Sequence, residues 1–210
     1  MNKKSDGRFK DTKERLFKIA IDFFAEKGIE GTSIRDIVKK ANISTAAFYN
    51  HYESKDALIQ AIYDYYRSKK DEARAETEAE YREMMKTLDL VNFLQRSTVM
   101  FQRLMEDPLM AKLGKIVVTE KGKNPVIAEI VREDREKLLT FMEGTFTYYQ
   151  IKGYFKGHDA RLLGRMTGYI YLGFLEENVY LRYWKNESMD SILARQNKQI
   201  KLFINDLLRK

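Results

Sequence analysis

Apolar residues in the first sixty positions recur every three or four places. Leu16, Ile19, Ala20, Phe23 and Phe24 define one face of a first helix, with Asp11 or Thr12 as its cap and Glu14 in its opening turn. Gly28 ends it, because glycine enters the left-handed conformation at no steric cost. A short second helix follows: Ser33 and Asp36 have capping-box spacing, and Ile34, Ile37, Val38 and Ala41 form its apolar side. Asn42 reverses the chain, since asparagine tolerates the left-handed region better than most residues. Ser44 caps a third helix, and Ile43 and Phe48 stand at hydrophobic-staple spacing around that cap. On this helix Ala47, Phe48 and Tyr52 point inward, and Thr45, Ala46, Tyr49 and Asn50 point outward. Ser54 opens a fourth helix through Leu58, Ile59, Ile62, Tyr65 and Tyr66, continuing into the charged run DEARAETEAEYREMM.

Five more helices are expected near 88–106, 109–118, 125–151, 159–184 and 189–208. Pro108 and Pro125 suit first-turn positions. Gly153 and Gly157 flank a loop, after which Asp159 or His158 opens the next helix. With 2 prolines and 11 glycines in 210 residues, and no convincing period-2 run, the fold class is all-α. The division expected is a three-helix N-terminal domain over 1–55, with a basic arm at 1–10, and a larger helical domain over 56–210.

Charge changes this picture. The net charge is +7, and residues 1–70 carry 15 Lys/Arg against 10 Asp/Glu. A basic N-terminal third suits a polyanion such as DNA, because each neutralised phosphate releases counterions. The chain has no cysteine, so disulfides and thiolate chemistry are excluded. No run of 18 apolar residues exists to span a membrane, and the N-terminus lacks a signal peptide's apolar core, so the expected location is cytoplasmic. Two histidines, no phosphate-cradling glycine loop and no metal-spaced cluster argue against an enzyme. No cofactor and no metal are expected.

Two short helices joined by a tight turn within a basic segment have the form of a helix-turn-helix, whose last helix is held rigid and exposed for the major groove. The stretch from Thr12 to Leu58 resembles the N-terminal domain of the TetR family of transcription regulators. The features that carry the likeness are the amphipathic first helix, the Gly28 turn, Thr32-Ser33-Ile34-Arg35-Asp36-Ile37, Ala41-Asn42-Ile43-Ser44, Phe48-Tyr49-Asn50-His51-Tyr52 and Ser54-Lys55-Asp56-Ala57-Leu58. Two departures stand out: the family usually has glycine where Asn42 stands, and often where Ala46 stands. The resemblance implies phosphate contacts for Tyr49, His51 and Lys55. It implies approach to base edges for Thr45, Ala46 and Ala47, and a helix-two base contact for Arg35. Ser33, Ser44 and Asn50 complete the expected DNA-binding set. The chemistry agrees, since tyrosine and lysine suit phosphate oxygens, arginine suits guanine and alanine packs on a thymine methyl. The exposed stripe of helix three lacks Arg, Lys and Gln, so phosphate contacts and DNA shape are expected to carry much of the affinity.

The resemblance further implies a C-terminal domain that binds a small-molecule effector and forms a homodimer. Eight of nine methionines lie between Met84 and Met189, among many aromatic residues. That mixture suits either an ordinary core or a pocket for an apolar or aromatic ligand. Phe101, Met105, Phe141, Tyr148, Phe174 and Glu177 are the candidate ligand residues. Glu177 shares a helical stripe with Ile170, Phe174 and Leu181, and needs either a base such as Arg182 or a cationic ligand. Gly164 and Gly168, with Ile200 and Ile204 of the last helix, suit a four-helix bundle across two chains, or close packing within one. The function implied is a ligand-responsive repressor on a palindromic double-stranded operator. The alternative is an architectural DNA-binding protein without a ligand.

Overall fold

The computed structural model describes the backbone of residues 4–208 and, within it, the side chains of 11–100 and 106–208. The described residues form α1 (Lys4–Lys27), α2 (Ile34–Ala41), α3 (Thr45–Tyr49), α4 (Lys55–Thr87), α5 (Leu90–Glu106), α6 (Pro108–Glu120), α7 (Pro125–Ile151), α8 (Ala160–Trp184) and α9 (Met189–Leu208), with no strand among them. The all-α fold class expected from the sequence is therefore observed. One boundary differs at the start. Residues expected as an arm are, from Lys4 onward, the first turns of α1. Gly7 is the only breaker there, and extending an existing helix costs far less than starting one.

The caps follow local chemistry. Asp107 accepts from the Leu109 and Met110 amides, both at 2.8 Å, with Pro108 in the first turn of α6. Asp159, rather than His158, caps α8 by accepting from the Leu162 amide at 3.0 Å.

Contacts divide the chain into two compact units. The first comprises Met1–Glu72 with Glu106–Ile127, and the second Ala73–Met105 with Ala128–Lys210. This grouping is not in chain order: α6 belongs with the N-terminal helices. The Lys112 ammonium meets the Asp22 carboxylate of α1 at 2.6 Å, and Leu113, Ile116 and Val117 are buried. The core of the first unit is built on Leu16, Ile21, Phe24, Ile37, Phe48, Leu58 and Ile62, all fully buried. Each such side chain contributes roughly 1.5–3 kcal/mol by leaving water. Gly28 closes α1 at φ +79°, and its carbonyl accepts from the buried Thr32 hydroxyl at 2.8 Å.

The second unit packs around Phe93, Leu94, Met142, Phe146, Tyr149, Phe155 and Ile204. Phe155 adopts φ +56°, which is uncommon for a non-glycine residue. Its ring is buried and stacked on Phe146 at 5.2 Å, so core packing offsets the backbone cost.

Candidate nucleic-acid interface

The geometry of the interface starts from two serine caps. At α2 the Ser33 amide donates to the Asp36 carboxylate at 2.8 Å, and the Asp36 amide returns a bond to the Ser33 hydroxyl at 3.2 Å. Both halves of the capping box are thus present. Asn42 closes the helix in the left-handed conformation, φ 52° and ψ 50°, while the Ile43 amide bonds back to the Val38 carbonyl at 3.1 Å. Ser44 then caps α3 by accepting from the Ala47 amide at 3.1 Å. The turn is fixed at both ends because a first-turn amide of each helix, that of Asp36 and that of Ala47, has a serine side chain as acceptor.

This turn decides which face of α3 is free. Phe48 and Tyr52 are buried and Ala47 half-buried, while Thr45, Ala46, Tyr49 and Asn50 are exposed. Tyr49 is 51% exposed and stands edge-on to Phe48 at 5.5 Å, so the core fixes the ring and leaves its hydroxyl outside. Arg35, Lys39 and Lys40 are exposed on α2 and form no hydrogen bond or ion pair with the described residues. Ser33 and Ser44 are exposed, but their hydroxyls already serve the caps.

Two candidates are held more tightly than their sequence positions suggest. Lys55 is half-buried at the start of α4. Its ammonium donates to the Ile29 carbonyl at 2.5 Å and lies 6.0 Å from the centre of the Phe24 ring. His51 is half-buried; burial, and then the charge of Lys13, lower its pKa below the usual imidazole value. Burial pushes the Tyr52 hydroxyl up to about 12. Lys13 is the residue that sequence reasoning passed over. Its ammonium lies 5.4 Å from the centre of the Tyr52 ring, next to His51, which adds a cation to that edge. The only signal for it was a lysine in the first basic turns.

Residues 16–62 match the model of the bacterial regulatory proteins, tetR family. That span covers α1 from Leu16 onward, α2, the turn, α3 and the first turns of α4. Over 56 residues the chain is 43% identical to YerO of Bacillus subtilis, an uncharacterised HTH-type transcriptional regulator, and this spans 27% of the chain and only 19% of that relative. Over 142 residues it is 28% identical to the HTH-type transcriptional regulator UidR of Escherichia coli, 68% of each chain. The N-terminal end of the chain, residues 16–62, therefore carries a tetR-type regulatory domain. A likeness in fold extends beyond the DNA-binding end: FadR of Bacillus subtilis, solved with stearoyl-CoA, superposes with a TM-score of 0.61 at 18% identity. That superposition covers 91% of this chain and 97% of FadR.

The remaining candidates lie in the second unit. Phe141 sits in a ring cluster, 5.6 Å from Tyr81 and 6.4 Å from Phe93. Tyr148 meets Tyr149 edge-on at 5.6 Å, and Phe174 meets Tyr171 at 6.0 Å. These rings pack mainly on one another. The side chains of Phe101 and Met105 lie outside the described residues. Glu177 accepts from the buried Gln196 amide of α9 at 2.9 Å, so its direct partner is a neutral amide, with the Arg195 charge nearby, rather than Arg182. Gly164 and Gly168 are buried against α7: a Cβ at Gly164 would stand 2.4 Å from the Met142 carbonyl oxygen, and one at Gly168 would stand 2.7 Å from Leu139. Ile200 and Ile204 are core residues. All four positions serve packing within one chain. Among the described residues, no helix is long and apolar enough to cross a membrane, and no cluster of acidic or histidine side chains is placed to hold a metal.

Proposed function

We propose that the chain is a ligand-responsive repressor in the cytoplasm that binds a palindromic operator as a homodimer. The observation carrying this reading is the exposed stripe Thr45, Ala46, Tyr49 and Asn50 on α3, flanked by Arg35, Lys39 and Lys40 of α2, in a pair of helices that each start at a serine cap. Tyr49, His51, Lys55 and Lys13 contact phosphates, and Arg35 with Thr45, Ala46 and Ala47 reads base edges. Two copies place their α3 helices about one DNA turn apart, roughly 34–36 Å. The second copy docks on the outer faces of α8 and α9, since the buried glycines are unavailable to it. Leu162, Met166, Tyr169, Tyr180, Trp184 and Leu202 are exposed there, and an exposed apolar surface of this kind marks an interaction site. A small molecule bound in the C-terminal helices favours a dimer with misspaced α3 helices, and the operator is released because the ligand binds that state better. FadR's complex with stearoyl-CoA supports an effector of some kind in this fold.

The test is fluorescence anisotropy of the full chain on DNA from upstream of its own gene, across a salt series, with a scrambled duplex as control. Preference for the native duplex, weakening as salt rises, supports the proposal. Absence of DNA binding at low salt overturns it.

A further inference from the structure

Among the described residues, open volume lies along the exposed side of α5 where α9 passes. Two clefts there, of about 560 and 400 Å³, share Asn92. Asn92, Gln95 and Arg96 of α5 with Asn197 of α9 line the first; Asn92 with Lys201 and Asn205 of α9 lines the second. Successive residues along α9 therefore meet α5 in reverse order, and the clefts form one groove between antiparallel helices. Either volume falls in the range of small-molecule sites.

The lining is unusual in its amides. Four side-chain amides converge on one groove, and each carries both donors and acceptors. The Asn92 amide nitrogen is engaged, donating to Asp89 at 2.7 Å, which leaves its oxygen as an acceptor. Gln95, Asn197 and Asn205 have no hydrogen bond to the described residues and point their full capacity at the groove or at water. The charges are not equivalent. Arg96 faces Glu80 at 3.5 Å, so each offsets the other. Asp89 is occupied at the start of α5, accepting also from the Asn92 main-chain amide at 2.8 Å. Lys201 has no counter-ion among the described residues. Val99 and the buried Met100 give the first cleft an apolar wall.

We infer that this groove binds a hydroxyl-rich small molecule of the saccharide class, with preference for members that carry a carboxylate. A hydroxyl is donor and acceptor at once, and side-chain amides match it in both senses, whereas an apolar ligand would leave the amides of Gln95, Asn197 and Asn205 and the Asn92 oxygen without water or partner. The C–H face of a sugar ring suits Val99 and Met100. The carboxylate goes to Lys201, where a charge-assisted bond is stronger than a neutral one. This inference deepens the proposed function by giving its effector a chemistry that the aromatic composition did not suggest.

The experiment is calorimetric titration of the full, DNA-free chain with sorbitol, galactose, gluconate and galacturonate, with stearate as the apolar comparison. Because no DNA is present, failure of this inference is separate from failure of the operator reading. Gluconate and galacturonate are expected to bind about tenfold more tightly than sorbitol and galactose, and Lys201→Ala to remove that difference. The double variant Gln95→Ala, Asn197→Ala is expected to weaken the four polyols alike by about tenfold or more. The substituted side chains lie on the surface of their helices, and circular dichroism checks that the variants remain folded. Absence of binding by all four polyols overturns the inference. So does binding that the variants leave unchanged, or stearate binding that Lys201→Ala and the double variant weaken.

Discussion

Lys55 offers the sharpest test of the site. Replacing it with methionine keeps most of the stem and removes the ammonium. That ammonium donates to the Ile29 carbonyl in the turn after α1, tying the start of α4 to the DNA-binding core. A hydrogen bond to a charged group contributes about 1.5–3 kcal/mol when buried. Lys55 is half-buried, so screening by water reduces the expected loss to about 1–2 kcal/mol. In a domain of this size each kcal/mol lowers the melting temperature by about 2–4 °C, which predicts a fall of roughly 2–8 °C in calorimetry without DNA. The ammonium has two further N–H groups. If one also reaches a phosphate, the slope of log affinity against log salt becomes shallower by about 0.9. A stability loss with an unchanged slope would assign Lys55 to the scaffold alone. An unchanged melting temperature would refute the clamp itself.

Other consequences are equally direct. Tyr49→Phe removes an exposed hydroxyl and is expected to weaken operator binding by about 2–10-fold, with neither melting temperature nor salt slope altered; a lowered melting temperature would mean the hydroxyl belongs to the fold. Two bonds from Ser33 and, behind them, Lys27 hold the Asp36 carboxyl down from its ordinary 3.8 to about 2. Its contribution to the α2 cap is therefore complete above about pH 4 and is lost as pH falls through about 2. Carbon-detected NMR should show a midpoint near 2 that moves back toward 3.8 in Ser33→Ala, and a midpoint unmoved by that change would contradict the capping box. Gly164→Ala and Gly173→Ala make an opposed pair, because a Cβ meets the α7 backbone at Gly164 and nothing within 4 Å at Gly173. The first should destabilise by about 1–3 kcal/mol, and the second should stabilise by about 0.5–1 kcal/mol. Chemical denaturation checks both, and equal effects would rule out the close approach of α7 and α8.

What the sequence determined by itself was local. The Ser33–Asp36 capping box, the Ser44 cap, the left-handed Asn42, the Gly28 stop and the free face of α3 follow from residues within a few positions of one another, so spacing and side-chain chemistry suffice. The helix starts at Pro108, Pro125 and Asp159 were legible for the same reason. Tertiary structure decided the rest. No short-range rule puts α6 with the N-terminal helices, since the burial of Leu113, Ile116 and Val117 and the meeting of Lys112 with Asp22 across 90 positions arise only in the folded chain. Nor does one give Phe155 a left-handed backbone, which only its stack on Phe146 sustains. Spacing identified Gly164 and Gly168 as sites of close approach, but not the partner, which within this chain is α7. The amide groove is the clearest case. Asn92 and Asn197 are unremarkable surface residues until two distant helices lie side by side, because convergence of polar groups is a property of packing and not of either strand of sequence.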